Sequence, residues 1–573
     1  MSRSNKMIRG DGMQKKGWAY IGLAGVISAS MLAGCSGTNN QASSETSKPA
    51  GDTPKASAGA AVKRGKITAT IYERGNVPNG MGTIEDNMWS KWMNEKGPND
   101  VKYTAVPRWE SAQKLNVLFA SGSAPDLIFE FGTGIRNSLF AQKQLMPLDD
   151  LIEKNSTVYK ALMQKYPQLK KAGIKSDGKL YEVGRINEVY PLSSVFIRQD
   201  WLDKLGLQMP KTTEEMVAVA KAFTEKDPDG NGKNDTYGIA GIQSGGMGGP
   251  IRYMFNANWV NVNEKKELQF GLENMKLQAQ FKRDLFEAGV MDKDFLTDKD
   301  GSKAAQDFLN GKVGIMSWMT NDYAAFAAKE LATFMKNVPN GKLSILPLPK
   351  SPVGRFTVVW NNPVQMTAVV NARAKDPEAI IRQIDFLAKP ETGNVFRYGI
   401  EGTHYKLDAD GRPTILDNDK YKNEVSWNSD FNMIYSRLES GKYGYTETFL
   451  SESIPEQKEA LRLFKEARNV YMEKIPVGEG ITHSEHMPEL PKDLQTKMAN
   501  LTKPIDDLFI KAIIGGKSYT VDQAYAEAKA LWEKQGGKDI EAWYLDWWGK
   551  EKNNILVWDD FYKIYESQRA AFK

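Results

Sequence analysis

Apolar positions along the chain switch between a period of two and a period of three to four, and the switches mark out elements. Ile67–Tyr72 reads as a strand, and a helix is expected around Ile84–Asn94. A second strand covers Val101–Val106, and a helix covers about Ser111–Ala120 with Leu115, Leu118 and Phe119 on one face. After the Gly122–Pro125 turn a buried strand, Asp126–Phe129, follows. Such strand–helix alternation predicts a mostly parallel sheet with helices on both faces, whose ligands bind beyond the carboxyl ends of the strands. Glu73 and Arg74, Pro107 to Trp109, and Glu130 with Phe131 therefore project toward one cleft.

Further on, Ser194–Ile197 is a β-type run, and Trp201, Leu202 and Leu205 line one face of a short helix that Gly206 ends. Thr212 and Glu215 have the capping-box spacing, ahead of a buried stripe of Met216, Val219, Ala220 and Phe223. Phe356–Trp360 reads as another strand. Asp376-Pro377 then opens a helix whose apolar face is Ile380, Ile381, Ile384, Leu387 and Ala388. From about Glu456 the pattern is helical to the end and rich in Trp and Tyr.

The first residues carry a different pattern. Arg3, Lys6, Arg9, Lys15 and Lys16 precede an apolar run, Trp18–Leu32, which is too short for a permanent span and has the layout of an export signal. It ends Leu32-Ala33-Gly34-Cys35, similar to the lipobox of bacterial lipoproteins, in which the cysteine is acylated and becomes the first residue. Cys35 is the single cysteine, so no disulfide is expected. Residues 36–61 are Ser/Thr/Gly/Ala/Pro-rich without an aromatic residue, and are expected to form a disordered tether with a mean reach of about 30 Å. Removing residues 1–34 takes away five basic groups and Asp11, and the formal charge of +5 falls to +1. The basic balance is therefore no argument for nucleic acid. The rest of the 573 residues exceeds one core and implies at least two lobes.

Gly178–Glu215 also resembles a family. Gly178 and Tyr181, then Asp200, Leu202, Gly206, Pro210, Thr212 and Glu215, match the wording of the hinge crossover in bacterial extracellular solute-binding proteins of the maltose-binding type. Ser121–Phe129, Phe308–Trp318, Leu346–Pro349 and Gly399–Tyr405 resemble further phrases of that family, the last one typical of oligosaccharide carriers. The resemblance implies a two-lobed α/β fold of the type II periplasmic-binding-protein kind, with hinge crossovers and an extended helical C-terminal part. Lobe 1 is expected over 63–192 and about 366–440, and lobe 2 over 193–365 and about 441–573. It also implies a monomer anchored outside the cell membrane through Cys35, which captures an oligosaccharide by hinge closure and hands it to the permease of an ABC importer. Two other readings stay open: a surface enzyme degrading polysaccharide with two carboxylates, and a ligand-sensing receptor feeding a membrane kinase.

Sugars present apolar C–H faces and hydroxyl edges, so flat rings beside charged or amide groups suit them. Aromatic residues make up 10% of the chain, with 14 Trp, more than a core is expected to need. The candidate ligand contacts are Glu73, Arg74, Arg108, Trp109, Glu130, Phe131, Trp318, Trp360 and Asn361. Trp318 is included because the resemblance places an aromatic residue there against the ligand. Asp227, Asp229, Asn231, Lys233 (through its carbonyl) and Asp235 occupy positions 1, 3, 5, 7 and 9 of an EF-hand-like loop with Gly232 at position 6, and are expected to hold a structural Ca²⁺. Position 12 is Gly238, so the bidentate acid of a full EF-hand is missing. His483 and His486 lack a clear third ligand, and His404 is expected at the lobe junction. No Gly-rich phosphate loop, nucleophile elbow or Cys/His pair is present.

Overall fold

The computed structural model describes residues 64–571 except 243–245, 264, 293–294, 299, 410, 439–443, 445 and 478–481. The expected export signal, Cys35 and the tether lie outside the described residues. Residues 63–573 form one compact unit.

Two sheets organise this unit. The strands in chain order are β1 (Gly65–Glu73), β2 (Asn99–Pro107), β3 (Leu127–Phe129), β4 (Glu182–Ile186), β5 (Ser193–Arg198), β6 (Tyr237–Ile239), β7 (Val260–Val262), β8 (Leu268–Phe270), β9 (Val313–Met319), β10 (Leu343–Ile345), β11 (Val364–Val370), β12 (Tyr405–Leu407) and β13 (Pro413–Ile415). The first sheet has the order β2-β1-β3-β11-β4, and the second β10-β5-β9-β6. β7 with β8 and β12 with β13 are separate antiparallel pairs. In the first sheet β1 runs parallel to β2 and β3, as the alternation predicts, whereas β11 enters antiparallel between β3 and β4. The second sheet is mainly antiparallel, only β6 and β9 being parallel.

Side chains alternate across the first sheet. Ile67, Ala69, Ile71, Leu127 and Phe129 bury one face, under the helix Pro377–Ala388. Val106 and Ile128 face the opposite side, with Leu115, Leu118 and Phe119. Asp376 caps the helix by accepting from Ala379 N at 3.0 Å. Val195, Phe196 and Ile197 of β5 lie in the second core with Trp201, Met216 and Phe223, and the helices Lys492–Ile514, Val521–Lys534 and Gly537–Glu551 extend that core. Gly206 ends its helix in the left-handed region at φ 65°, and Thr212 accepts from Glu215 N, while Glu215 reaches Lys211 N instead of its own cap.

Chain crosses between the sheets at 187–192 and at 359–363, and the two crossovers lie side by side. Leu192 N donates to Val359 O at 2.9 Å, Asn187 N donates to Pro363 O at 2.9 Å, and Pro191 bridges Trp360. The expected strand Phe356–Trp360 is thus not a regular strand. It follows the Ser351–Gly354 turn and makes single bridges, because its neighbours are crossover segments without a continuous ladder. The helix Trp558–Ala571, expected with lobe 2, instead gives Ile564 and Tyr565 to the first-sheet core. His404 is buried within that same core, with Nε2 2.9 Å from Glu424 Oε2 and its ring 6.1 Å from Trp89, and not at a lobe junction. Among the described residues no helix is long and apolar enough to cross a membrane.

Candidate functional site

The carboxyl ends of β1, β2 and β3 bring their side chains into one cluster. Tyr72 stacks on Phe131 with centroids 5.7 Å apart. The Arg108 guanidinium lies 4.8 Å from the Tyr72 ring, 5.0 Å from Trp109 and 5.4 Å from Phe131, so one cation serves three ring faces. Trp109 is 84% exposed, the one exposed tryptophan among the described residues. A flat ring left in solvent beside a fixed guanidinium offers stacking area and directed N–H donors together.

Beneath the rings sits Glu130, 1% exposed. Its Oε1 accepts from Tyr72 Oη at 2.8 Å and from Gly132 N at 2.6 Å, and Oε2 has no hydrogen-bond partner. Burial first, and then the Glu130 carboxylate, push the Tyr72 hydroxyl well above its usual range, so it stays a neutral donor. Arg136 positions this strand end. Fully buried, it donates from Nη1 to Glu130 O at 2.9 Å and Phe131 O at 2.6 Å while pairing with Glu182 and Glu485. Arg74 is held by Asp430 through two bonds of 2.5 and 3.0 Å, and Glu73 turns back to accept from Gly75 N.

Three cluster members carry no sequence signal. Tyr72 reads as ordinary strand core. Arg185 and Gln365 are paired across β4 and β11, where Arg185 donates to Gln365 Oε1 from Nε at 3.0 Å and Nη2 at 2.7 Å and lies 5.6 Å from Phe131. Sheet register alone brings these two together, over 180 residues of chain.

Three other candidates fall elsewhere. Trp318 is half-buried against Phe308 and Phe326 on the second core, and its neighbour Met319 is the exposed residue of that strand end. Trp360 is buried, its Nε1 donating to Tyr471 O at 3.2 Å. Asn361 exchanges two bonds with Tyr190, and so ties one crossover to the other. The supposed surplus of aromatic residues is absorbed by packing: Trp89, Trp201, Trp427, Trp532 and Trp548 are buried, and Trp532 stacks on Trp259 at 5.5 Å.

The loop 227–235 is tightly wound. Asp227 accepts from the backbone N–H groups of Gly230, Asn231 and Gly232, with Gly230 and Gly232 at φ 76° and 75°. Asn231 Nδ2 donates to Asp229 at 2.7 Å and Asp235 at 3.0 Å. A hydrogen bond with Asp229 holds Asp227 below the carboxylate range, whereas burial and that same bond raise Asp229. Asp229 and Asp235 thus share the Asn231 amide while Asp227 gathers backbone N–H groups, an oxygen-rich donor set that suits a hard cation. Among the described residues, however, no three His, Cys, Asp or Glu side chains converge as a metal centre.

Residues 75–394 match the profile of the family described as bacterial extracellular solute-binding protein. Lipoprotein LipO of Bacillus subtilis (strain 168) is 26% identical over 473 residues, 77% of this chain and 84% of that protein. The polygalacturonan/rhamnogalacturonan-binding protein YtcQ of the same organism is 26% identical over 462 residues, with the same coverage of 77% and 84%. Among solved structures, the S. pneumoniae ABC-transporter substrate-binding protein FusA in complex with kestose superposes with a TM-score of 0.56 at 19% identity, over 85% of this chain and 100% of that one. FusA has also been solved as an EF-hand mutant in complex with fructo-nystose. These likenesses establish the fold.

Proposed function

The chain belongs to the bacterial extracellular solute-binding protein family, and from that premise we propose that it captures an oligosaccharide between its lobes for an ABC importer. Its role is solute capture and not turnover. The observation that supports a sugar ligand is the Arg108–Trp109 pair over Tyr72 and Phe131, a solvent-facing ring beside a fixed hydrogen-bond donor. A relative named for binding polygalacturonan, and a fold neighbour solved in complex with kestose, support the same ligand class.

The mechanism follows from the two adjacent crossovers. Ligand held on the first-sheet cluster gains contacts from the second lobe when the lobes rotate about 187–192 and 359–363, so binding shifts the population toward the closed form. The closed form presents the paired lobes to the permease. We place lobe 1 at 63–192 and about 366–440, with the helix Trp558–Ala571 added, and lobe 2 at 193–365 and about 441–551. Cys35 carries the acyl anchor on the outer face of the membrane after the signal is removed, and residues 36–61 tether the lobes to it. Ca²⁺ in the loop 227–235 is held by Asp227, Asp229, Asn231, Asp235 and the Lys233 carbonyl, and pins the link into β6.

Titration calorimetry against galacturonan and fructan oligosaccharides, with product analysis, tests the function. One-to-one binding without product is expected. Product formation, or no heat with any oligosaccharide, overturns it.

A further inference from the structure

Every backbone N–H and C=O from Glu130 to Gly132, the turn after β3, has a partner. Glu130 N donates to Thr367 O at 2.9 Å, Phe131 N to the Tyr72 hydroxyl at 2.8 Å, and Gly132 N to Glu130 Oε1. The carbonyls of Glu130 and Phe131 both accept from Arg136 Nη1. That one nitrogen fixes both peptide planes flanking Phe131, and so the direction in which its ring leaves the chain. Arg108 and Arg185 both lie against that ring.

What aims Arg136 comes from far along the chain. A guanidinium is a rigid planar fork, so fixing two of its nitrogens sets the third. Glu182 on β4 takes Nε at 3.1 Å, and Glu485, 349 residues away in sequence, takes Nη2. Nη1 is left facing the two carbonyls. Glu485 is itself held: Oε1 accepts from Met366 N at 3.1 Å, where β11 shifts register against β4, and Oε2 accepts from the Thr133 hydroxyl at 3.3 Å. Its backbone N–H donates to His483 Nδ1 at 3.1 Å, which leaves the His483 Nε2–H to donate to Asn362 Oδ1 in the second crossover. Residues 483–485 therefore join that crossover to the floor of the ligand cluster through one chain of bonds.

Resting on the oligosaccharide reading above, we propose that Glu485 is a positioning residue for ligand capture. It touches no sugar. It holds Arg136 on the Glu130 and Phe131 carbonyls, and through His483 it ties their placement to the second crossover. Without the Glu485 charge, Arg136 is drawn toward Glu182 and toward Glu130 Oε2, which has no hydrogen-bond partner, and the Phe131 turn loses its clamp.

The test titrates the full chain and its Glu485→Gln, Glu485→Asp and Ile380→Val variants with galacturonan and fructan oligosaccharides, trigalacturonate and kestose first. Melting curves and hydrogen exchange of the peptide 127–136 are measured without sugar. Glu485→Gln is expected to lose at least about fivefold in affinity for the sugar that the wild type binds. Glu485→Asp keeps the charge but shortens the reach, so it should melt close to the wild type and still lose affinity. Ile380→Val thins the same core without touching Arg136, and should bind as the wild type does. Both Glu485 variants should exchange faster than Ile380→Val over 127–136. If Glu485→Gln does not fold, Glu485→Asp alone decides. Wild-type affinity in Glu485→Asp, with 127–136 exchanging as in Ile380→Val, makes Glu485 an ordinary core counter-ion and overturns the positioning role alone. Absence of wild-type binding to every oligosaccharide overturns the oligosaccharide reading, and this role falls with it.

Discussion

Gln568, near the end of the chain, accepts a hydrogen bond from Val189 N at 2.8 Å and donates from Nε2 to Asn187 O at 2.9 Å. A side chain only 1% exposed on the last helix thus satisfies the backbone of the first crossover from both ends. Gln568→Ala leaves a buried N–H and a buried C=O unpaired, and about 1–3 kcal/mol of stability is expected to be lost. Urea unfolding midpoints check the loss. Gln568→Glu, which sets a buried carboxylate against the Asn187 carbonyl, should lose at least as much at neutral pH.

No property of the sequence marks Gln568, because a buried polar clamp has no periodicity and its partners lie 379 and 381 residues away. Local devices were legible: the Asp376 and Thr212 caps, the Gly206 stop and the apolar stripe of 380–388 each depend on residues within one or two turns. The convergence of Arg108, Trp109 and Phe131 was legible as well, since parallel strands end on one edge by construction. Arg185 and Gln365 were hidden because β11 enters the sheet antiparallel from far along the chain. Trp360 looked like a strand-end ring, but its segment lacks a ladder and its indole is spent on Tyr471.

Acid should destabilise the segment 482–487. Burial lowers the His483 imidazole to about 3 and that of His486 to about 4, with the charges of Lys171 and Lys175 adding to the second. Their native values lie below the ordinary 6.5, so between about pH 4 and 6.5 the unfolded chain holds more protons and stability rises with pH. The histidine contribution is complete above 6.5 and is lost as pH falls through the native values. Glu485, raised mainly by its burial, works in the opposite sense. Urea midpoints from pH 4.5 to 7 should climb in the wild type and climb less steeply in His486→Gln, whose amide oxygen can still accept from Leu556 N. An equal slope in the two proteins removes His486 from the explanation.

Calcium should stabilise the loop 227–235 without changing which sugar binds. A cation that binds the native loop and not the unfolded chain raises the melting temperature in proportion to its occupancy. Millimolar Ca²⁺ is expected to raise it by a few degrees over chelator. Asp229→Ala should erase that difference, while leaving the Arg108 cluster, which is built on the other sheet, with its affinity intact. Sugar affinity that falls with chelator would instead couple the loop to the cleft.

Trp109 and Arg108 separate binding from stability. With 84% of its surface in solvent, Trp109 contributes little to folding, and Trp109→Ala should move the unfolding free energy by less than about 0.5 kcal/mol. If its ring is the stacking face for a sugar, the same change should weaken oligosaccharide binding by about 1–3 kcal/mol, roughly five- to 150-fold. Arg108 is different, because its guanidinium fills the space between three rings, and Arg108→Ala removes packing together with charge. It should therefore lower both stability and affinity, and Arg108→Lys should restore stability better than affinity, since an ammonium has no flat face to lie between rings. The double variant decides whether the pair acts as one surface. Affinity losses that add point to two independent contacts, whereas a combined loss smaller than the sum shows that the guanidinium holds the indole in place for the ligand.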